Sequence, residues 1–134
     1  MMEAMGLILK RNTILIASGP SHDPERKHLF VVCTDRSQDG KHLLVPINKC
    51  RGTKPDETCI LKEYEHKFLK EESYINYRKS RVEPGDKLSL GIKRKLFIPH
   101  VEVNGQVFLR ISNGICLSPF TPFWVKKFAG CVDR

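Results

Sequence analysis

The run His28-Leu-Phe-Val-Val-Cys-Thr34 is apolar at both its odd and its even positions. Successive side chains of a strand point to opposite faces of the sheet, so such a run is stable only where both faces are covered. It is read as a central strand, and it commits the chain to a sheet with packing on two sides. Neighbouring segments supply the partners. Thr13 to Ala17 is β-branched and apolar and ends in the Gly- and Pro-bearing loop Ser18 to Pro24. After the Asp35 to Gly40 turn comes His42-Leu-Leu-Val-Pro-Ile47, a connection short enough for an antiparallel hairpin. Pro46 lacks a ladder donor and marks an edge position or a bulge.

Arg51 to Asp56 reads as a second loop, followed by a short strand at Thr58 to Leu61. Ile60, Leu61, Tyr64, Phe68 and Leu69 recur at helical spacing between strand-like flanks, and a strand followed by a compact turn is preferred. Ser73 to Val82 is rich in aromatic and β-branched residues and is read as one strand stopping at the turn Glu83-Pro-Gly-Asp86. The last part changes character. Val107, Phe108, Ile111 and Ile115 share a helical face behind Asn104 as N-cap. Thr121-Pro122 begins a second short helix with Trp124 and Phe128 at i and i+4, closed by Gly130. The expectation is one α+β domain, mainly β, over 1–134: a β-rich body at about 10–103 and a helical tail at about 104–130.

A chain of 134 residues with 40% hydrophobic and 28% charged residues can bury a core without disulfides. No apolar run approaches the roughly 20 residues a bilayer span needs, and the start Met-Met-Glu-Ala-Met carries an acid where an export signal is basic. A cytoplasmic protein with no membrane partner is expected. Five cysteines, Cys33, Cys50, Cys59, Cys116 and Cys131, are odd in number and sit in apolar segments, so reduced thiols without structural disulfides are expected. No Cys-x-x-Cys pair and no Gly-rich phosphate loop occurs, so neither a metal nor a cofactor is expected.

The excess of Lys and Arg gives a net charge of +8. That charge favours polyanions through phosphate neutralisation, RNA first and DNA second, against the plain alternative of a solvated basic surface. On an extended strand, Ser73, Tyr77, Lys79 and Arg81 share one face, an aromatic and cationic row suited to stacking a base and clamping phosphates. The other reading of that row is a core tyrosine with a solvated rim. His66 is either a general acid or base or a loop anchor, and His28, beside Lys27, is either a proton carrier near a phosphate or a structural strand end. His22 and Arg26 occupy a loop where ligand contacts are common. Lys93-Arg94-Lys95 is the densest cationic cluster, a phosphate-contacting edge or a water-facing triplet.

Lys27-His28-Leu-Phe-Val-Val-Cys followed by Leu43-Leu-Val-Pro-Ile-Asn48-Lys49 resembles the layout of the PemK, MazF and Kid group of growth-inhibiting toxins. The similarity covers about Thr13 to Val82. It implies a small SH3-like antiparallel β-barrel that cleaves RNA without a metal, forms a homodimer and is held in check by a protein antitoxin. Asn48 stands where that group has a catalytic hydroxyl, and Lys27 or His28 where it has an arginine. The Glu65-His-Lys-Phe68 and Ser73-Tyr-Ile-Asn-Tyr-Arg78 segments also resemble those of an uncharacterised family of small bacterial and phage proteins. Two functions follow: a metal-independent endoribonuclease, or a non-catalytic module holding nucleic acid or a protein. In the first, His28 or His66 moves a proton and Arg78, Lys79 or Arg81 stabilises the pentavalent phosphate.

Overall fold

The computed structural model describes residues 8–18, 21–23 and 26–131. The amino-terminal residues 1–7, Gly19, Pro20 and Pro24, on which parts of the leader and loop readings rest, lie outside these. Among the described residues the elements run β1 (Thr13–Ala17), β2 (Lys27–Val32), β3 (Lys41–Lys49), β4 (Ile60–Leu61), β5 (Ser73–Ile75), β6 (Arg81–Pro84), α1 (Gly85–Lys93), β7 (Ile98–His100), α2 (Gly105–Leu117) and α3 (Phe123–Phe128). The strands form one antiparallel sheet in the order β4-β5-β3-β2-β1-β7, with β6 also paired to β3. The sheet is mixed with helices and is open, since β4 and β7 at its two ends are not paired to each other.

The doubly apolar β2 lies inside the sheet between β1 and β3, as its pattern requires. Leu29 and Val31, with Leu43, Val45 and Ile47 of β3, face a core closed by Val107, Phe108, Ile111 and Ile115 of α2 and Val125 of α3. Phe30 and Val32, with Ile14, Ile16 and Leu44, face a second core closed by Leu88 and Ile92 of α1. Helices therefore cover both faces. Asn104 caps α2 as its position suggests, its side chain accepting from the Val107 N–H at 2.8 Å. The second helix starts one residue later than expected, with Pro122 as N-cap, and it buries Val125 while Trp124 faces outward.

Three expectations are corrected. Ser73 to Val82 is not one strand: β5 and β6 share the same side of β3 but are separated by a single 3-10 turn at Tyr77–Lys79. The Asn76 N–H donates to the Pro46 carbonyl, so the side of Pro46 facing this edge has an acceptor but no donor. The ladder breaks there, between Ile47↔Ile75 and Leu44↔Arg81, and what interrupts it is a whole 3-10 turn. Second, the residues after Glu83-Pro-Gly-Asp86 are helical. Pro84 is the N-cap, and Asp86 in the first turn and Lys93 in the last are both favourable to the helix dipole.

Third, Cys116 and Cys131 form a disulfide with Cα atoms 5.4 Å apart. The tight turn after α2, in which the Thr121 N–H donates to Ser118 O, folds α3 back so that two cysteines 15 residues apart meet. Cys33, Cys50 and Cys59 are buried free thiols. Closing a loop of this length stabilises by about 3 kcal/mol in the chain-entropy description. Urea unfolding with and without reductant should differ by up to that amount, and a Cys116→Ser variant should be indifferent to reductant.

Candidate nucleic-acid interface

The ladder between β2 and β3 stops at Leu29↔Ile47. Beyond it β2 stays paired to β1 as far as Ala17↔Lys27, while β3 stays paired to β5 as far as Lys49↔Ser73. The two strand ends thus belong to different halves of the sheet and part. A cleft of about 430 Å³ opens between them, lined by Arg26, Lys27, His28, Leu29, Ile47, Asn48, Lys49, Arg51, Phe68, Leu69, Lys70 and Ser73. Because the strands diverge, residues of both alternating sets, Lys27 and Lys49 as well as His28 and Asn48, reach the same space.

Leu29, Ile47, Phe68 and Leu69 belong to the α2-side core or pack on it and give the cleft an apolar floor. Among the described residues the rim holds five cations and no carboxylate. Arg26 is 3.2 Å from Asp23, and Lys49 and Arg51 each stand 3.9 Å from Glu71, so carboxylates touch the rim only from outside. Among the described residues Lys27 and Lys70 have no carboxylate partner. A concave surface of one sign over low-dielectric walls focuses its field on the opening.

His28 lies at the mouth, half-buried, with Nδ1 2.9 Å from Ser18 Oγ. Burial, and then the Arg26 guanidinium, push its pKa below the ordinary imidazole value, so it is neutral at neutral pH. His66 is the loop anchor of the two readings. Its Nδ1 accepts from the Phe68 N–H at 3.0 Å, which leaves Nε2 protonated and donating to Val101 O at 2.7 Å. Both nitrogens are engaged, and burial lowers its pKa as well. A native state that holds both rings neutral binds fewer protons than the unfolded chain below about pH 6.5. Stability is therefore fully present above that pH and is lost as pH falls through it. The urea midpoint should drop between pH 7.5 and pH 5.5, and His66→Gln should reduce the drop.

Of the residues singled out from sequence, Lys27, His28 and Ser73 meet in this cleft, together with Arg26 of the preceding loop. The expected row does not form. Tyr77 is fully buried, its hydroxyl donating to Ile111 O at 2.6 Å, because the 3-10 turn rotates it into the core. Arg78 lies 4.6 Å over the Phe120 ring and Lys79 is exposed on the same turn. Arg81 pairs with Leu44 and so lies on the α1 face, over the Phe30 ring and 2.6 Å from Glu83. Burial would raise the Glu83 pKa, but hydrogen bonds from Lys87 and the Arg81 charge outweigh it and hold the carboxylate ionised. Lys93, Arg94 and Lys95 end α1 on that second face, away from the cleft. His22 is exposed and does not line the cleft.

Asn48, Lys49, Arg51 and Lys70 were not singled out as ligand-binding residues from sequence. The available signal was the alternation Lys49-Cys-Arg51 directly after an apolar strand. Among the described residues no group of His, Cys, Asp or Glu has the arrangement of a metal site, and no helix is long and apolar enough to cross a membrane. Comparison with known proteins gives no match, whether to family models, curated proteins or solved structures.

Proposed function

We propose that the protein binds RNA in the cleft between the parted ends of β2 and β3. The observation that carries this reading is a rim that, among the described residues, has five cations and no carboxylate, above a floor of Leu29, Ile47, Phe68 and Leu69. Phosphates neutralise the rim and release counterions. The floor accepts the apolar face of an unstacked base, which a smooth polar surface would not do. Lys27 and His28 on one lip and Asn48 on the other are the positions at which the toxin-like layout carries its motifs, and their meeting supports that kinship. The same proposal relates the open sheet to SH3-like barrels, supported by the β1-β2-β3 meander that frames the cleft.

A second reading, scission of the bound RNA, is favoured by His28. Its neutral ring at the mouth is able to take the proton of a ribose 2′-hydroxyl as that oxygen attacks the adjacent phosphorus. The bond from phosphorus to the 5′-oxygen breaks, a 2′,3′-cyclic phosphate forms, and water supplies the proton to the leaving oxygen. Lys27 and Lys49, rather than the arginines near residue 80, stabilise the charge on the phosphoryl oxygens.

Fluorescently labelled RNA oligomers with chelator present test both readings. Binding that weakens steeply with salt, with DNA of the same sequence as competitor, is expected. Lack of retention at low salt counts against the binding reading. Cleavage products that persist in His28→Ala count against the role of His28, while binding without cleavage leaves the protein a non-catalytic module.

A further inference from the structure

The surface where α2 meets α3 carries large apolar side chains. Leu117 is 72% exposed, Phe123 67% and Trp124 53%, and Leu109, two helical turns earlier on the outward stripe of α2, is 60% exposed. Tyr64 and Leu96 are exposed as well, but here a leucine and two aromatics belong to the end of one helix and the start of the next, and water-facing apolar groups of this size cost free energy. The corner is held rigidly. The Cys116–Cys131 disulfide ties the segment after α3 to the last turn of α2, and Ser118 anchors the connecting turn through Asp56 at 2.7 Å.

Charge adds a second observation. From residue 103 to residue 131 the chain contains no Asp or Glu. Its cations are Arg110, Lys126 and Lys127. Arg110 is neutralised by Glu65, whereas Lys126 and Lys127 have no carboxylate partner among the described residues, and Lys127 lies 5.9 Å over the Phe123 ring. Leu117 also lines a pocket with Cys116 and Ala129, whereas Phe123 and Trp124 do not line it. Trp and Phe beside Lys without a carboxylate partner, on a rigidly held helix pair whose own residues include no Asp or Glu, match the boundary between headgroups and acyl chains, where aromatic rings and cations both gain.

We infer that this corner docks on an anionic lipid bilayer surface, with Leu117, Phe123 and Trp124 entering the interface and Lys126 and Lys127 on the headgroups. That no helix among the described residues is long and apolar enough to span a membrane bears only on crossing one, not on resting upon one. The surface is made of residues other than those of the cleft, so the two proposals stand or fall separately.

Trp124 is the only tryptophan, which makes the full chain its own reporter. Vesicles of phosphatidylserine and phosphatidylcholine should shift its emission to shorter wavelength and sediment with the protein, whereas pure phosphatidylcholine vesicles should do neither. The double change Leu117→Ser, Phe123→Ser removes two exposed side chains and should weaken vesicle binding at least tenfold with an unchanged urea midpoint. Lys126→Gln, Lys127→Gln should weaken it too, and Lys27→Gln, Lys70→Gln should leave it intact. The inference is overturned if anionic vesicles cause no shift at low salt, or if the cleft changes abolish binding while the corner changes do not. It is equally overturned if the shift follows protein concentration without lipid, which would make a second copy the occupant.

Discussion

Replacing Lys27, Lys49 and Lys70 together by Gln should lower RNA affinity about a hundredfold at 0.1 M salt. Each phosphate contact to a single strand contributes about 0.7 to the slope of log affinity against log salt, so three lost contacts flatten that slope by about 2. Carried from 1 M salt, where the electrostatic contribution vanishes, to 0.1 M, this is two orders of magnitude. The matched control is Lys93→Gln, Arg94→Gln, Lys95→Gln. Both triple variants lower the net charge from +8 to +5, so a non-specific effect of basicity would weaken them alike. The second triplet lies at the end of α1, on the sheet face away from the cleft, and there the slope should barely change. Affinity and slope are read together from anisotropy titrations at several salt concentrations.

Gly114→Ala should be the most damaging small substitution in the fold. In the middle of a helix the exchange ordinarily stabilises by about 1 kcal/mol. Here a Cβ would come 1.9 Å from the Tyr77 hydroxyl oxygen and 2.5 Å from Cζ. Tyr77 has no exposed surface, its ring is enclosed on all sides, and its hydroxyl holds Ile111 O. The ring must move, which costs roughly 1–3 kcal/mol of overpacking, and the hydrogen bond is lost for about 1 kcal/mol more. The net expectation is a loss of about 2 kcal/mol. The same bond disappears in Tyr77→Phe, so Gly114→Ala and Tyr77→Phe combined should cost less than the two separately. Urea midpoints of the four proteins measure this, and additivity would contradict the contact.

The same Tyr77 marks the limit of what the sequence discloses. Its neighbours alternate as in a strand, and an aromatic residue is at home there, so an extended reading through Val82 satisfies every local preference. What ends the strand is the missing donor of Pro46 on the neighbouring strand, a fact about pairing that no local pattern in 73–82 contains. The central β2, the hairpin into β3 and the Asn104 cap were legible because each is fixed by its own residues. Helix α1 was missed because Pro-Gly-Asp serves equally as a turn and as a helix start, and only the later Leu88, Ile92 and Lys93 distinguish them.

The cleft was half legible for a related reason. Lys27 and His28 were singled out, yet their partners Lys49, Arg51 and Lys70 come from a strand end and two loops. These converge only because the β2–β3 ladder stops at Leu29↔Ile47 while each strand keeps its other neighbour. Arg78, within the 3-10 turn, and Arg81, just after it, instead satisfy Phe120 and Glu83. The disulfide was missed because an odd number of cysteines in apolar runs argues for thiols, and proximity across the turn after α2 is a tertiary fact.

The proposed nucleic-acid surface is tested by the change in backbone amide resonances as an RNA oligomer is added. Perturbations concentrated at 26–29, 47–51 and 68–70, with α1 unaffected, are expected. Perturbations centred on Lys93 to Lys95, or on the 3-10 turn at Tyr77–Lys79 with the cleft silent, would contradict it.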